Sequence, residues 1–309
     1  MKLALLLSAL LICPIFAQKA DEKAKKTKNP APFRWVNPLS PGQVKHGLEH
    51  ATFQSPSMQI PIGYCIYLPP AYKEQPTRRF PVVYYLHGGR PGSEVKATGL
   101  VRAIHAQIVS GKIQPMIYVF PNGGAVSHYN MPDRNSMGED IIVHELLPHV
   151  DKTYRTIAKR NGRAIEGFSQ GGRGTTRIMF RYPKLFCSAA PGGSGYATEK
   201  RISENDGRES DTLLFQPGAN AYDRARSYAK TMKPALPILI HVGSKGFNYE
   251  NNLAYMEFLD TLKISYQKII VPNAPHSAKV IYETHGRQIM AFHEKNFRKV
   301  PHADLDKHR

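Results

Sequence analysis

The chain has 309 residues, with 42 Lys and Arg against 24 Asp and Glu for a formal charge of +18, and 41% of its residues are hydrophobic. That length suits one α/β domain with a single core. The basic residues are spread along the chain with no nucleic-acid motif beside them, which argues for a solvated basic surface and against a nucleic-acid partner. The three cysteines, Cys13, Cys65 and Cys187, stand too far apart for a compact Cys-pair metal motif.

Residues 1–17 carry Lys2, an apolar run from Leu3 to Ile12 and a small residue, Ala17, before Gln18. This pattern predicts a secretory signal peptide and a secreted or periplasmic mature protein. No later segment approaches the ~20 continuous apolar residues of a membrane span. Residues 18–40 read as a flexible basic linker, since Gln18 to Pro32 is lysine-rich and holds almost nothing that could be buried. The domain is expected over 41–300, with a C-terminal tail over 301–309.

Within that domain, β segments around Ala51–Phe53 and Ile62–Leu68 read as antiparallel edge strands. Pro81 to Leu86 is a nearly continuous apolar run, as in a strand covered on both faces, and it stops at His87-Gly88-Gly89. A helix near Leu100–Val109 and a strand over Met116–Phe120 follow. Ile142, Leu146, Val150 and Tyr154 recur every four residues as a helix face that Pro148 should kink or divide. After the run at Ala164-Ile165, further strands are predicted over Leu185–Ala190, Leu236–Val242 and Ser265–Val271. Helices are expected through Tyr255–Leu262 and over Ala278–Phe297. The polar stretch from Thr198 to about Pro217 reads as a surface excursion. Strands alternating with helices at this spacing predict an α/β fold with a doubly wound, mostly parallel sheet and helices on both faces.

Gly167-Phe168-Ser169-Gln170-Gly171 closes the strand at Ile165 and reads as a nucleophile elbow, a strand-to-helix turn that exposes a strained serine. Ser169 is the candidate nucleophile. Its base should follow late in the chain, and His276, in the loop Pro272-Asn273-Ala274-Pro275-His276-Ser277 after the last strand, has that position. An oxyanion hole needs two backbone donors, for which the amides of Gln170 and Gly89 are the candidates. A neutral imidazole base implies activity that rises with pH around a midpoint of about 6 to 7.

Leu68-Pro69-Pro70-Ala71-Tyr72, Leu86-His87-Gly88-Gly89, Pro121-Asn122-Gly123, Glu145-Leu146-Leu147-Pro148 with Tyr154-Arg155, and Gly167 to Gly172 together resemble an esterase family. That family includes feruloyl and acetyl-xylan esterases, enterochelin esterases, S-formylglutathione hydrolase and the mycolyltransferases. The similarity runs from about Gly47 to Phe297. It implies an α/β-hydrolase fold and Ser-His-acid catalysis, with Ser169 and His276 on the family's serine and histidine. The family's acid usually stands in a Gly-x-x-Asp motif, and Gly243-Ser244-Lys245-Gly246 puts Gly246 in that place. Glu250 is the candidate acid in its stead. Glu199, Glu204, Asp206 and Asp211 are other carboxylates in reach of the argument, and a Ser-His dyad stays open.

These residues point to a secreted serine esterase acting on an acylated carbohydrate, an aromatic acyl ester or a similar small-molecule or polysaccharide ester. An acyltransferase, or a weakened relative that binds a glycan or ester, is the alternative. No metal or organic cofactor is implied, because the histidines show no coherent ligand spacing. Neither the oligomeric state nor a Cys65–Cys187 disulfide can be read from the sequence.

Overall fold

The computed structural model describes residues 33–210 and 213–297. The predicted signal peptide, the linker up to residue 32, Asp211 and the tail over 301–309 lie outside them. In chain order come β1 (Leu48–Gln54), β2 (Pro61–Tyr67), α1 (Ala71–Glu74), β3 (Val82–Leu86), α2 (Val101–Val109) and β4 (Ile117–Pro121). The short strands β5 (Asn130–Met131) and β6 (Ser136–Met137) lead into α3 (Gly138–Asp140) and α4 (Leu147–Thr153). Next are β7 (Arg163–Phe168), α5 (Gln170–Arg181), β8 (Ser188–Gly192), α6 (Glu199–Glu204), β9 (Arg208–Ser210), β10 (Leu213–Leu214) and α7 (Ala221–Ala229). The elements β11 (Leu239–Lys245), α8 (Tyr249–Thr261), β12 (Gln267–Pro275) and α9 (Ala278–Phe297) complete the order.

Eight strands form one sheet in the order β1-β2-β4-β3-β7-β8-β11-β12. The pairs β1–β2 and β2–β4 are antiparallel and the rest are parallel. Alternation along β3 explains the two-sided core: Val82, Tyr84 and Leu86 join the cluster that α5, α7 and α8 cover, while Val83 and Tyr85 join the one covered by α2 and α9. The chain leaves β3 for β4 on one side and returns to β7 on the other. That reversal falls at the carboxyl ends of β3 and β7, the usual place for a site in such a sheet.

Several boundaries differ from the sequence expectation for physical reasons. Phe186 is fully buried yet precedes β8, and Leu236 is buried ahead of β11, so their apolar character reflects core packing without strand pairing. Pro148 does not divide its helix, because the winding is π over Ile141–Leu146 and α from Leu147, which places the proline in the first turn of the α segment. β12 runs on to Pro275 through a register shift opposite Gly243–Lys245, and this irregularity carries the chain into His276.

From residue 33 the chain is already bonded to the domain, unlike a free linker. Gly63 donates its amide to the Trp35 carbonyl. Glu94, buried at 1% exposure, accepts from the Asn37 amide and Nδ2 and from Asn122 Nδ2, and lies 3.0 Å from His50 Nε2. Cys65 and Cys187 are buried and no disulfide joins them.

Burial also leaves two histidines as poor bases. His241 on β11 is pushed down to about 3 by burial and by neighbouring His293, and His128 to about 4, chiefly by burial. Both rings are neutral when folded but protonate near the ordinary value of about 6.5 when unfolded, so the unfolded state binds more protons below that pH. Stability is therefore expected to fall as pH drops from about 6.5, by on the order of 2 kcal/mol per ring at pH 5. Melting temperatures at pH 7 and pH 5 check this, and equal values would contradict it.

Candidate active site

Ser169 sits between β7 and α5 with φ 60° and ψ −116°, a region that costs a non-glycine residue about 1–3 kcal/mol. Three backbone bonds hold it there: its amide donates to Gly192 O at 2.9 Å, while its carbonyl accepts from Gly195 N at 3.0 Å and Arg173 N at 3.1 Å. Glycine is required two residues on. A Cβ on Gly171 would come within 1.9 Å of Leu86 O, so the helix could not pack against the end of β3 with any other residue there. The Gln170 amide opens α5, where an N–H has no carbonyl one turn back and faces outward toward an anion.

The loop after β3 lies against the elbow. A Cβ on Gly88 would be 3.1 Å from Ser169 Cβ, and Gly89 turns with φ +70° while its carbonyl accepts from Ser127 Oγ at 2.6 Å. Beneath it, His87 Nε2 accepts the Gly123 amide at 3.1 Å, which puts the ring proton on Nδ1 facing Gly88 O. His128 Nε2 is 2.9 Å from His87 O and so acts as donor. Burial keeps both imidazoles neutral, with His87 well below its ordinary value. Two neutral rings thus brace the loop that presents Gly89.

His276 follows β12 directly. Ser277 behind it accepts the Val280 amide on Oγ and the Ile281 amide on its carbonyl, which starts α9 and fixes where the histidine leaves the chain. The imidazole packs against Phe168, at a centroid distance of 4.7 Å, and Phe247, at 4.1 Å, with both ring pairs tilted. Phe168 is the residue before Ser169, so the imidazole packs on the strand end that leads into the elbow, at the carboxyl edge of the sheet. Burial lowers the His276 pKa from its ordinary value, which moves the expected midpoint downward. Among the described residues, the ring's hydrogen bond is from Nδ1 to Asn248 Oδ1, 3.0 Å away.

Glu250 is therefore not the residue that meets His276. It is exposed on the first turn of α8, where its side chain points into solvent. Glu199 pairs with Arg226 and Glu204 with Lys200, and Asp206 and Glu199 line a cavity walled by Ile202, Phe215 and Tyr222 that none of the site residues enters. Gly246 has no positive φ. A Cβ there would stand 3.4 Å from Asn248 Oδ1 and 3.6 Å from His276 Cα, so the position borders the imidazole without supplying its partner. Asn248 was missed because an amide two residues past the expected acid reads as a turn residue. Its signal was its placement between Gly246 and a helix start.

The elbow helix carries a second feature visible in the sequence only as a spacing, Arg173, Arg177 and Arg181. Arg173, fully buried, bonds Gln170 Oε1, donates to Gly195 O at 2.8 Å and pairs with Glu209 of β9. Arg177 pairs with Glu139 at 3.2 Å and lies 3.9 Å over the Tyr129 ring, and Arg181 pairs with the same carboxylate. The guanidinium stripe thus ties the excursion over 198–217 to the residue after the nucleophile. Among the described residues no group of three His, Cys, Asp or Glu could hold a metal ion, and no helix is long and apolar enough to cross a membrane.

Comparison with known proteins agrees with this fold. The family described as "Putative esterase" matches residues 55–291. Esterase MT1326 of Mycobacterium tuberculosis is 31% identical over 153 residues, which is 48% of this chain and 32% of that protein. An endo-1,4-beta-xylanase/feruloyl esterase of Xylanibacter ruminicola is 30% identical over 156 residues, 46% of this chain and 21% of that protein. The matched stretch thus spans a third or less of these relatives' length. Among solved structures, a ferulic acid esterase superposes with a TM-score of 0.66 at 21% identity, covering 81% of this chain and 98% of that one. Since the family match takes in the elbow, the loop after β3 and the turn that carries His276, the chain belongs to this esterase family, with its α/β-hydrolase fold.

Proposed function

We propose that this protein is a secreted serine esterase that hydrolyses carboxylic esters, with an acylated carbohydrate or an aromatic acyl ester as substrate. The observation that carries the reading is Ser169, held at positive φ at the N-terminus of α5, together with an imidazole packed on the preceding Phe168 and anchored through Nδ1. Ser169 Oγ attacks the ester carbonyl and its proton passes to His276 Nε2. The Gln170 and Gly89 amides receive the oxyanion of the tetrahedral intermediate. The imidazolium then protonates the departing alcohol, and water, deprotonated by the same ring, releases the acid from the acyl-enzyme. The relative whose name joins a xylanase to a feruloyl esterase supports an aromatic acyl group on a plant-type glycan.

A fluorophosphonate is expected to label the purified protein once, on the peptide carrying Ser169, and the intact mass should correspond to a chain beginning at Gln18. The same preparation should hydrolyse short aryl esters and methyl ferulate. Labelling elsewhere, or an unlabelled protein inactive over the whole panel, would overturn the reading in favour of an esterase-like binding protein.

A further inference from the structure

Asn248 is buried at 3% exposure, and both ends of its side-chain amide are committed. Nδ2 donates to the backbone carbonyls of Gly193 and, at 2.9 Å, Ser194, while Oδ1 faces His276 Nδ1 at 3.0 Å. Carbonyl oxygens only accept, so a flipped amide would set oxygen against oxygen at both contacts. The turn it grips is itself pinned, because Asn252 Oδ1 accepts the Ser194 amide at 3.0 Å and Asn252 Nδ2 donates to Ser194 O at 2.9 Å and to Asn248 O at 2.8 Å. With Oδ1 fixed as an acceptor, the proton of neutral His276 must sit on Nδ1, and Nε2 keeps the lone pair a general base needs.

We propose that Asn248 is the positioning residue for His276, a neutral third member of a Ser169–His276–Asn248 triad whose amide is locked in the one orientation that gives the productive tautomer. This rests on the reading of the chain as a serine esterase. An asparagine free to turn would offer its NH2 to the imidazole and select the wrong tautomer, a fault that can cost about 10⁴-fold in rate. The two carbonyls at Gly193 and Ser194 remove that freedom. They would also oppose an aspartate at 248, whose second oxygen would face them without a proton to share.

An amide orients the ring but adds no charge to stabilise its imidazolium. The groups packed on the ring are Phe168 from β7, Phe247 from the turn after β11 and Asn248 itself, none of them charged. The charged residues that flank Phe247, Asn248 and His276 in sequence, Lys245 at the end of β11, Glu250 on α8 and Lys279 on α9, are all exposed. Glu166 on β7 is buried and is bonded to Tyr282, and Arg173 on α5 is buried and pairs with Glu209. Burial alone therefore acts on His276 and favours its neutral form. The acid limb of kcat/KM is expected below about pH 6.5, the ordinary imidazole value.

Three measurements test the assignment. In wild-type protein labelled with ¹⁵N-histidine, the His276 ring should show the Nδ1–H tautomer; an Nε2–H ring would overturn the proposal whatever the activity. Asn248→Ala should lower kcat on an aryl ester about a hundredfold with KM nearly unchanged, and an unaltered kcat would reduce Asn248 to a strut for the 193–194 turn. Should Asn248→Ala fail to fold, Asn248→Ser serves instead, because its side chain is too short to reach the ring and the carbonyls together. The same loss of kcat with little change in KM is expected, and an unaltered kcat would overturn the proposal. A wild-type protein with the Nδ1–H ring but no hydrolytic activity would count against the esterase reading and leave the hold of Asn248 on His276 supported.

Discussion

Ser169→Ala is expected to lower kcat for an aryl ester by about 10⁴-fold or more, with the residual rate coming from binding and the oxyanion donors alone. The size follows from the role: without Oγ there is no acyl-enzyme, and the two easier steps collapse into one hard one. Ser169→Gly should be equally inactive yet more stable than the wild type by about 1 kcal/mol, because glycine adopts φ 60° without the strain the serine bears. Ester hydrolysis and denaturant melts on the two variants are the measurement. Turnover surviving in Ser169→Ala would remove the elbow from the mechanism, whereas a glycine variant less stable than wild type would show that the elbow is not strained.

His276→Ala should cost a similar factor, about 10⁴ or more, since Oγ is a poor nucleophile until its proton has somewhere to go. The sharper expectation concerns the double variant. Serine and base act as one unit, so Ser169→Ala combined with His276→Ala should be no slower than either alone within a few-fold. Multiplicative losses in the double variant would mean that the two residues contribute separately, and that a different base serves Ser169. The packing of His276 on Phe168 and Phe247 means that the alanine leaves a gap, so melting temperatures must accompany the rates.

How far the site could be read in advance depended on how local its causes are. The elbow was legible because its geometry demands glycines within two residues of the serine, and packing at Gly171 shows why. His276 was legible from order alone, as a histidine in the loop after the last strand. The third member was not, because the carboxylate expected there is a habit of chemistry and not a demand of geometry. What the fold requires is an acceptor facing Nδ1, and which atom supplies it depends on the carbonyls of residues 193 and 194, more than fifty positions upstream. The Arg173 stripe had a visible spacing but no visible purpose until Glu209 and Glu139 were brought to it from other parts of the chain. The start of the domain gave a mixed signal, since the apolar Phe33, Trp35, Val36 and Leu39 stand among polar residues whose partners follow them by dozens of positions.

Those bonds set an order of events during synthesis. The Asn37 side chain and amide leave the ribosome early, yet the carboxylate they meet is 57 residues further on, and that carboxylate is not fully satisfied until Asn122 at the end of β4 has also been made. Long loops must close before such contacts give any return, which makes them late in folding. The segment made first thus waits for residues made well after it, and until then Glu94 is a carboxylate short of donors in the loop that follows β3. A version of the protein beginning at residue 41 would hold it in that unfinished state permanently.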